Sequence, residues 1–209
     1  MADDFHRPAF FGGGEFEAFA GGEDPAKVMR AAHESAHMLL ARAQSSDDPE
    51  VVDRLISYTD EHGIDSLAEL WARSAAHSLP GALWRIYLVR VMIRQDPEGV
   101  ALLFQRGTEV LSTIDPVVAG APSPAGPQEV TELADLILRG LFEGDFAAAL
   151  ERAAAFCRVE AAGASSIADD QDAASPERAT ELTTRALRLT TTADELAWCA
   201  RMSRAGTLD

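Results

Sequence analysis

One short segment of the chain combines residues that could carry out metal-dependent chemistry. His33, Glu34 and His37 form the pattern H-E-x-x-H, and the surrounding sequence predicts a helix over residues 24–44. A spacing of four residues puts two imidazoles one helical turn apart, where they can share a zinc ion. The glutamate between them can then act as a general base on a metal-bound water. The pattern therefore makes a zinc-dependent hydrolase one candidate function.

In these five residues the chain resembles the zincin metallohydrolases. The resemblance implies that His33 and His37 are metal ligands and that Glu34 is the general base. Glu61 lies 24 residues after His37 and is followed by Asp65, which resembles the E-x-x-x-D arrangement of the gluzincin branch. Glu61 is therefore the candidate third ligand. The metzincin extension, with its glycine and final histidine, is missing from the sequence after His37.

The sequence around the motif favours a non-catalytic interpretation. Zincin enzymes place a β-sheet before the motif helix, whereas only 32 residues, rich in glycine and phenylalanine, precede His33. On a helical wheel, His33 lies about 90° and His37 about 130° from the centre of the apolar stripe, with Glu34 almost opposite that stripe. We therefore expect solvated histidines and a surface glutamate. The sequence predicts no catalytic, cofactor-binding or metal-ligating residue, and we expect a protein that is not an enzyme.

The elements that carry these residues are predicted to be helices. Alanine, leucine, glutamate and arginine are frequent, strand-favouring runs are scarce, and 47% of the residues are hydrophobic. This composition predicts an all-α fold, a bundle of about eight helices in a single domain over 23–209 that follows a flexible arm at 1–22. A proline-rich connection at 115–127 and a polar linker at 163–175 are expected to interrupt the helices.

The most apolar helical segment is LPGALWRIYLVRVMIRQ, at residues 79–95. Apolar side chains cover almost its whole circumference, so we expect it at the centre of the bundle. Arg85, Arg90 and Arg94 are left for water or for acids of neighbouring helices. Fewer than the roughly 18 uncharged residues that a membrane-spanning helix needs lie between these arginines, so we do not expect this segment to span a membrane.

The second half of the chain predicts further helices. The clearest amphipathic pattern begins at Pro127, and its apolar strip would permit self-association if nothing else covers it. A helix from Phe146 to about Ala162 is expected to pair with it as a hairpin. Two last helices are predicted, one from Pro176 and another from Thr192, where T-A-D-E forms a capping box.

Net charge and cysteine usage exclude some classes of function. The chain has 18 basic and 34 acidic residues, a formal charge of −16, which repels nucleic acid and anionic membranes and suits a basic protein partner. Residues 66–90 resemble the DNA-binding segment of tetracycline-repressor-type regulators, but this charge opposes DNA binding. Cys157 and Cys199 lie in helical patterns, and no secretory signal is visible, so we expect a cytoplasmic protein.

The function that we predict is protein interaction or scaffolding. Two features support this prediction: the acidic surface and the segment at 1–22. This segment mixes acids with phenylalanine, a composition suited to docking in a groove of a partner or of its own domain. Its phenylalanines are Phe5, Phe10, Phe11, Phe16 and Phe19. The zinc-dependent hydrolase is the alternative.

Overall fold

The computed structural model describes residues 24–45 and 69–209. These residues form seven helices, and residues 69–71 are helical as well. In chain order the helices are α1 Pro25–Gln44, α2 Leu79–Gln95, α3 Pro97–Val110, α4 Asp115–Ala119, α5 Pro127–Glu143, α6 Phe146–Gln171 and α7 Pro176–Arg204. No strand occurs within the described residues, so the predicted all-α fold is confirmed. The predicted arm at 1–22 and Glu61 lie outside the described residues.

Short acidic side chains define the starts of several helices. Asp24 Oδ1 accepts a hydrogen bond from the Ala26 N–H at 3.0 Å, and Asp96 Oδ1 accepts one from the Gly99 N–H at 3.0 Å. In both cases a proline follows the cap, at a position where a helix does not need an N–H donor. The Asp-Pro pairs therefore fix where α1 and α3 begin.

Helix α6 occupies the centre of the structure. It packs against α2, α3, α4, α5 and α7, and its contact with α7 is the most extensive of these. Most of its buried residues are alanines, which allow neighbouring helices to approach closely, and Phe156 fills the space beside Phe104 of α3. One buried hydrophobic cluster contains residues from all seven helices.

The helix that was expected at the centre, α2, is instead partly exposed. Leu88 of α2 is 44% exposed, and Trp84 and Tyr87 are half-buried. The physical reason is that a helix of small side chains, α6, packs more closely against several neighbours than a helix of bulky ones. Helix α2 contacts α1, α3, α5, α6 and α7, but its apolar face around Leu88 is incompletely covered.

The predicted polar linker at 163–175 is helical up to Gln171. A Cβ atom on Gly163 would lie 1.8 Å from the Leu103 carbonyl oxygen, and one on Gly107 would lie 2.0 Å from the Val159 carbonyl oxygen. The two glycines therefore mark the closest crossing between α3 and α6. Small residues in this stretch serve tight packing, and the helix continues because that packing outweighs the low helix propensity of glycine.

Two other predicted boundaries are wrong. The proline-rich connection at 115–127 begins with a short helix, α4, which ends where Gly120 adopts a left-handed conformation with φ of 79°. The two helices predicted from Pro176 and Thr192 are one continuous helix, α7. Thr192 caps nothing, because its hydroxyl donates to the Arg188 carbonyl within that helix. The amphipathic pattern from Pro127 is confirmed as α5.

Candidate functional site

The two histidines of the H-E-x-x-H segment both lie beside the carboxylate of Asp209. His37 Nε2 is 2.8 Å from Asp209 Oδ1, and His33 Nδ1 is 3.8 Å from the same oxygen. The Asp209 carbonyl also accepts a hydrogen bond from the Leu79 N–H at 2.8 Å. Residue 209 is thus held between α1 and the start of α2. The hydrogen bond with His37 and the attraction of both imidazoles lower the pKa of the Asp209 carboxyl below its ordinary value.

Within the motif, Ser35 connects α1 to the rest of the fold. Ser35 Oγ accepts a hydrogen bond from the indole Nε1–H of the buried Trp71 at 3.0 Å. Glu34 is exposed, as the helical wheel predicts. The side chain of His37 is 52% exposed, whereas that of His33 is 27% exposed and therefore less solvated than expected.

This arrangement gives the described residues a histidine–carboxylate contact at the surface. The Asp209 side chain is 84% exposed, so water surrounds the cluster. Within 24–45 and 69–209, no group of three or more histidine, cysteine, aspartate or glutamate side chains is arranged to hold a metal ion. The zinc-hydrolase hypothesis stays a prediction, and its candidate third ligand, Glu61, lies outside those residues.

The two cysteines are buried free thiols. Burial raises the pKa of Cys157 to about 12 and that of Cys199 to about 11. The raised pKa values favour the protonated thiol, which is the less reactive form of cysteine.

A feature that the sequence did not indicate is a groove of about 640 Å³ between α2 and α7. Its size falls in the range of known ligand-binding clefts. Its lining combines the apolar residues Leu88, Val89, Met92 and Leu189 with the polar residues Thr180, Glu181, Thr184, Arg185, Arg188 and Thr192. We call this the α2/α7 groove. It exists because the apolar face of α2 around Leu88 is incompletely covered.

Ion pairs connect α2 to α5 and α7. Arg85 of α2 pairs with Glu195 of α7, and Arg90 pairs with Asp135 of α5 at 3.1 Å. Asp135 also pairs with Arg94 at 3.2 Å. The prediction that these arginines pair with acids of neighbouring helices is thus confirmed.

The groove threonines do not offer free hydroxyl donors. The hydroxyl groups of Thr180, Thr184 and Thr192 each donate to the carbonyl oxygen four residues earlier in α7, at 2.8 to 2.9 Å. The strong donors left for a ligand in the groove are therefore the guanidinium groups of Arg185 and Arg188.

Arg185 contacts a glutamate that is completely buried behind it. Its Nη2 donates to Glu160 Oε2 at 3.1 Å, and the Glu160 side chain has no exposed surface. Glu160 Oε1 and Arg185 Nε have no hydrogen-bond partner among the described residues. Burial raises the pKa of Glu160 to about 8, because it outweighs the attraction of Arg185. The raised pKa favours the protonated form of Glu160, in which the carboxyl neutralises less of the positive charge of Arg185.

Arg188 adds a second positive charge. Within the described residues its side chain makes no hydrogen bond or ion pair, and it is exposed on α7. The acid that lines the groove, Glu181, pairs with Arg178 at 3.1 Å. The groove thus has a positive local charge within a chain whose formal net charge is −16.

No protein-family model, no curated protein and no solved structure matches this chain at a significant level. The arguments about its function therefore rest on geometry and chemistry. None of the helices in the described ranges combines the length and hydropathy that a bilayer span requires.

Sequence reasoning missed the groove residues for an identifiable reason. Glu160 is the single acid in the run AAAFCRVEAAGA, in which Arg158 is the other charged residue, and a charge among such small and apolar residues indicates a buried partner. The partner, Arg185, lies 25 residues away in a helix whose pattern is mostly polar. Only the packing of α6 against α7 brings the two together.

Proposed function

We propose that this chain is a protein-interaction module that binds an acidic segment of a partner protein in the α2/α7 groove. The observation that carries the proposal is the combination of apolar residues with the guanidinium groups of Arg185 and Arg188, of which Arg188 forms no ion pair among the described residues. A segment that presents apolar side chains to Leu88 and Met92 and carboxylates to Arg185 and Arg188 would satisfy both parts. Arginine pairs with carboxylates in a bidentate geometry and is enriched at interaction hot spots.

The negative net charge of the chain does not contradict an acidic ligand. At physiological ionic strength, charges separated by more than about 8 Å are largely screened. The charges nearest the ligand decide the local interaction, and in the groove these are Arg185, Arg188 and Glu181, of which Glu181 pairs with Arg178. Distant acids lower the association rate more than they lower the affinity once the ligand is bound.

The proposal places the protein in the cytoplasm. Its support is the pair of buried free thiols, Cys157 and Cys199, because structural thiols are typical of reducing compartments.

The test uses two synthetic peptides of opposite charge. Both have leucine or phenylalanine at i, i+3, i+4 and i+7; one carries glutamate at the remaining positions and the other carries lysine. We expect the glutamate peptide to bind more tightly to the full chain, measured by fluorescence anisotropy at physiological salt. Tighter binding of the lysine peptide would contradict the proposal, because only the net charge of the chain favours that peptide.

A charge reversal on α7 locates the binding site. Arg188→Glu should weaken binding of the glutamate peptide by about 10-fold to 100-fold, the loss expected for a charge-assisted hydrogen bond. The matched control is Arg201→Glu, which makes the same change on α7 outside the groove and should change the affinity less than twofold. Equal effects of both substitutions would show that the groove is not the site.

A further inference from the structure

We propose that residues 15–19 of the chain's own N-terminal segment bind in the α2/α7 groove and compete there with the partner. The proposal deepens the proposed function, on which it rests for the role of the groove. In this self-inhibited state the segment occupies the groove, and a partner must displace it in order to bind.

The chemistry of this segment matches the groove. Residues 1–22 contain four acids and one arginine, together with five phenylalanines. Residues 15–19 read E-F-E-A-F, which combines Glu15 and Glu17 with Phe16 and Phe19. The carboxylates suit the donors of Arg185, and the rings suit an apolar lining.

The length of the segment also matches. The groove extends along α7 from Thr180 to Thr192, which corresponds to about 18 Å at 1.5 Å per residue. Five residues in an extended conformation span up to about 17 Å. The run at 15–19 is thus as long as the groove.

Covalent attachment makes weak binding sufficient. A tethered segment whose linker spans the distance to its site has an effective concentration on the order of 1 mM there. If the isolated segment bound with a Kd of about 0.1 mM, the ratio of chains with the segment bound to chains with the groove empty would be about 10 to 1. The same segment on a second copy has no such advantage, because it is not tethered near the groove.

Met92 offers a direct reporter in the intact protein. It is the methionine that lines the groove, whereas Met38 lies on α1 and Met202 lies near the end of α7. With ¹³C-labelled methionine methyl groups, the ring of a bound phenylalanine shifts the Met92 signal. The signals of Met38 and Met202 report whether the fold is unchanged.

The test compares the full chain with two variants. In Phe16→Ser/Phe19→Ser we expect the Met92 signal to move while Met38 and Met202 stay in place. The matched control Phe5→Ser, which removes a phenylalanine outside the run at 15–19, should leave Met92 unchanged. The glutamate peptide described above should bind the double variant about 10-fold more tightly than it binds the natural sequence, since its competitor is lost.

The outcomes separate this proposal from the proposed function. If the glutamate peptide moves Met92 but the double variant does not, the groove binds peptides and the self-inhibited state is wrong. If neither moves Met92, both proposals fail. If the Met92 shift in the natural sequence depends on protein concentration, the occupant comes from a second copy, which also overturns the intramolecular proposal.

Discussion

Replacing Gly163 by alanine tests the packing of the whole bundle. The added Cβ atom would lie 1.8 Å from the Leu103 carbonyl oxygen and 2.9 Å from the Gly107 backbone nitrogen. Ordinary C···O contacts between helices are about 3.3 Å or longer. Both obstructing atoms belong to the backbone, so no side chain can rotate away. Helices α3 and α6 would have to separate by about 1.5 Å, as the two C···O distances require.

The energetic cost follows from this geometry. Overpacking a core typically costs about 1–3 kcal/mol, and a backbone obstruction lies at the upper end. The higher helix propensity of alanine offsets about 1 kcal/mol of this cost. We therefore expect Gly163→Ala to lower the free energy of unfolding by about 2 kcal/mol, out of a total of roughly 5–15 kcal/mol.

Urea unfolding followed by circular dichroism measures this change. The matched control is Gly140→Ala in α5, where the new Cβ atom would lie 3.1 Å from the side chain of Ala149 and a shift of a few tenths of an ångström suffices. We expect the control to remain within about 1 kcal/mol of the natural sequence. A Gly163→Ala protein as stable as the control would refute the close crossing.

Gly107→Ala should be destabilising as well. The double substitution should lower the free energy of unfolding by less than the sum of the two single effects, because one separation of the helices relieves both clashes.

Two predictions concern pH. The pKa of Glu160 is raised by folding, so the folded state binds this proton more tightly and loses stability as pH rises from about 5 to 8. The slope of the unfolding free energy against pH that one proton can cause is at most about 1.4 kcal/mol per pH unit. Glu160→Gln should remove the contribution of Glu160 to this slope. If the free energy of unfolding varied with pH in the same way in both proteins, the raised pKa of Glu160 would be refuted. The carboxyl of Asp209 should titrate below its ordinary value of 3.8 in an NMR experiment and return toward that value in His37→Ala. An unchanged Asp209 titration in that variant would show that the His37 contact is not formed in solution.

The sequence predicts the parts of the fold that depend on local chemistry. Asp24 and Asp96 begin helices as expected, because an N-cap acid followed by proline acts through neighbouring backbone groups. The apolar stripe of α5 is buried at Val130, Ile137 and Leu141, as its spacing indicates. These features need no knowledge of distant residues.

The parts that were missed depend on long-range packing. Gly163 is typical of a linker when only its neighbours are considered, and its role becomes clear only when Leu103 of α3 lies against it. Thr192 matches a capping box but lies inside a long helix that packs along α6. In both cases tertiary contacts override the local pattern.

The candidate site shows the same division. The helical wheel gives the exposure of Glu34 correctly, since that follows from the spacing within α1. It does not give Asp209, which reaches His37 from the opposite end of the printed sequence. The pairing of Glu160 with Arg185 likewise requires the register between α6 and α7.

The glycine crossing has a consequence for the groove. Asp96, at the start of α3, contributes to the electrostatic environment of Glu160, and Glu160 in turn bonds the arginine in the groove. A change in the packing of α3 against α6 would alter the pKa of Glu160, and with it the net charge of the Glu160–Arg185 pair beside the groove. If the groove binds a partner as proposed, substitutions at Gly107 or Gly163 would therefore change the affinity for that partner without contacting it.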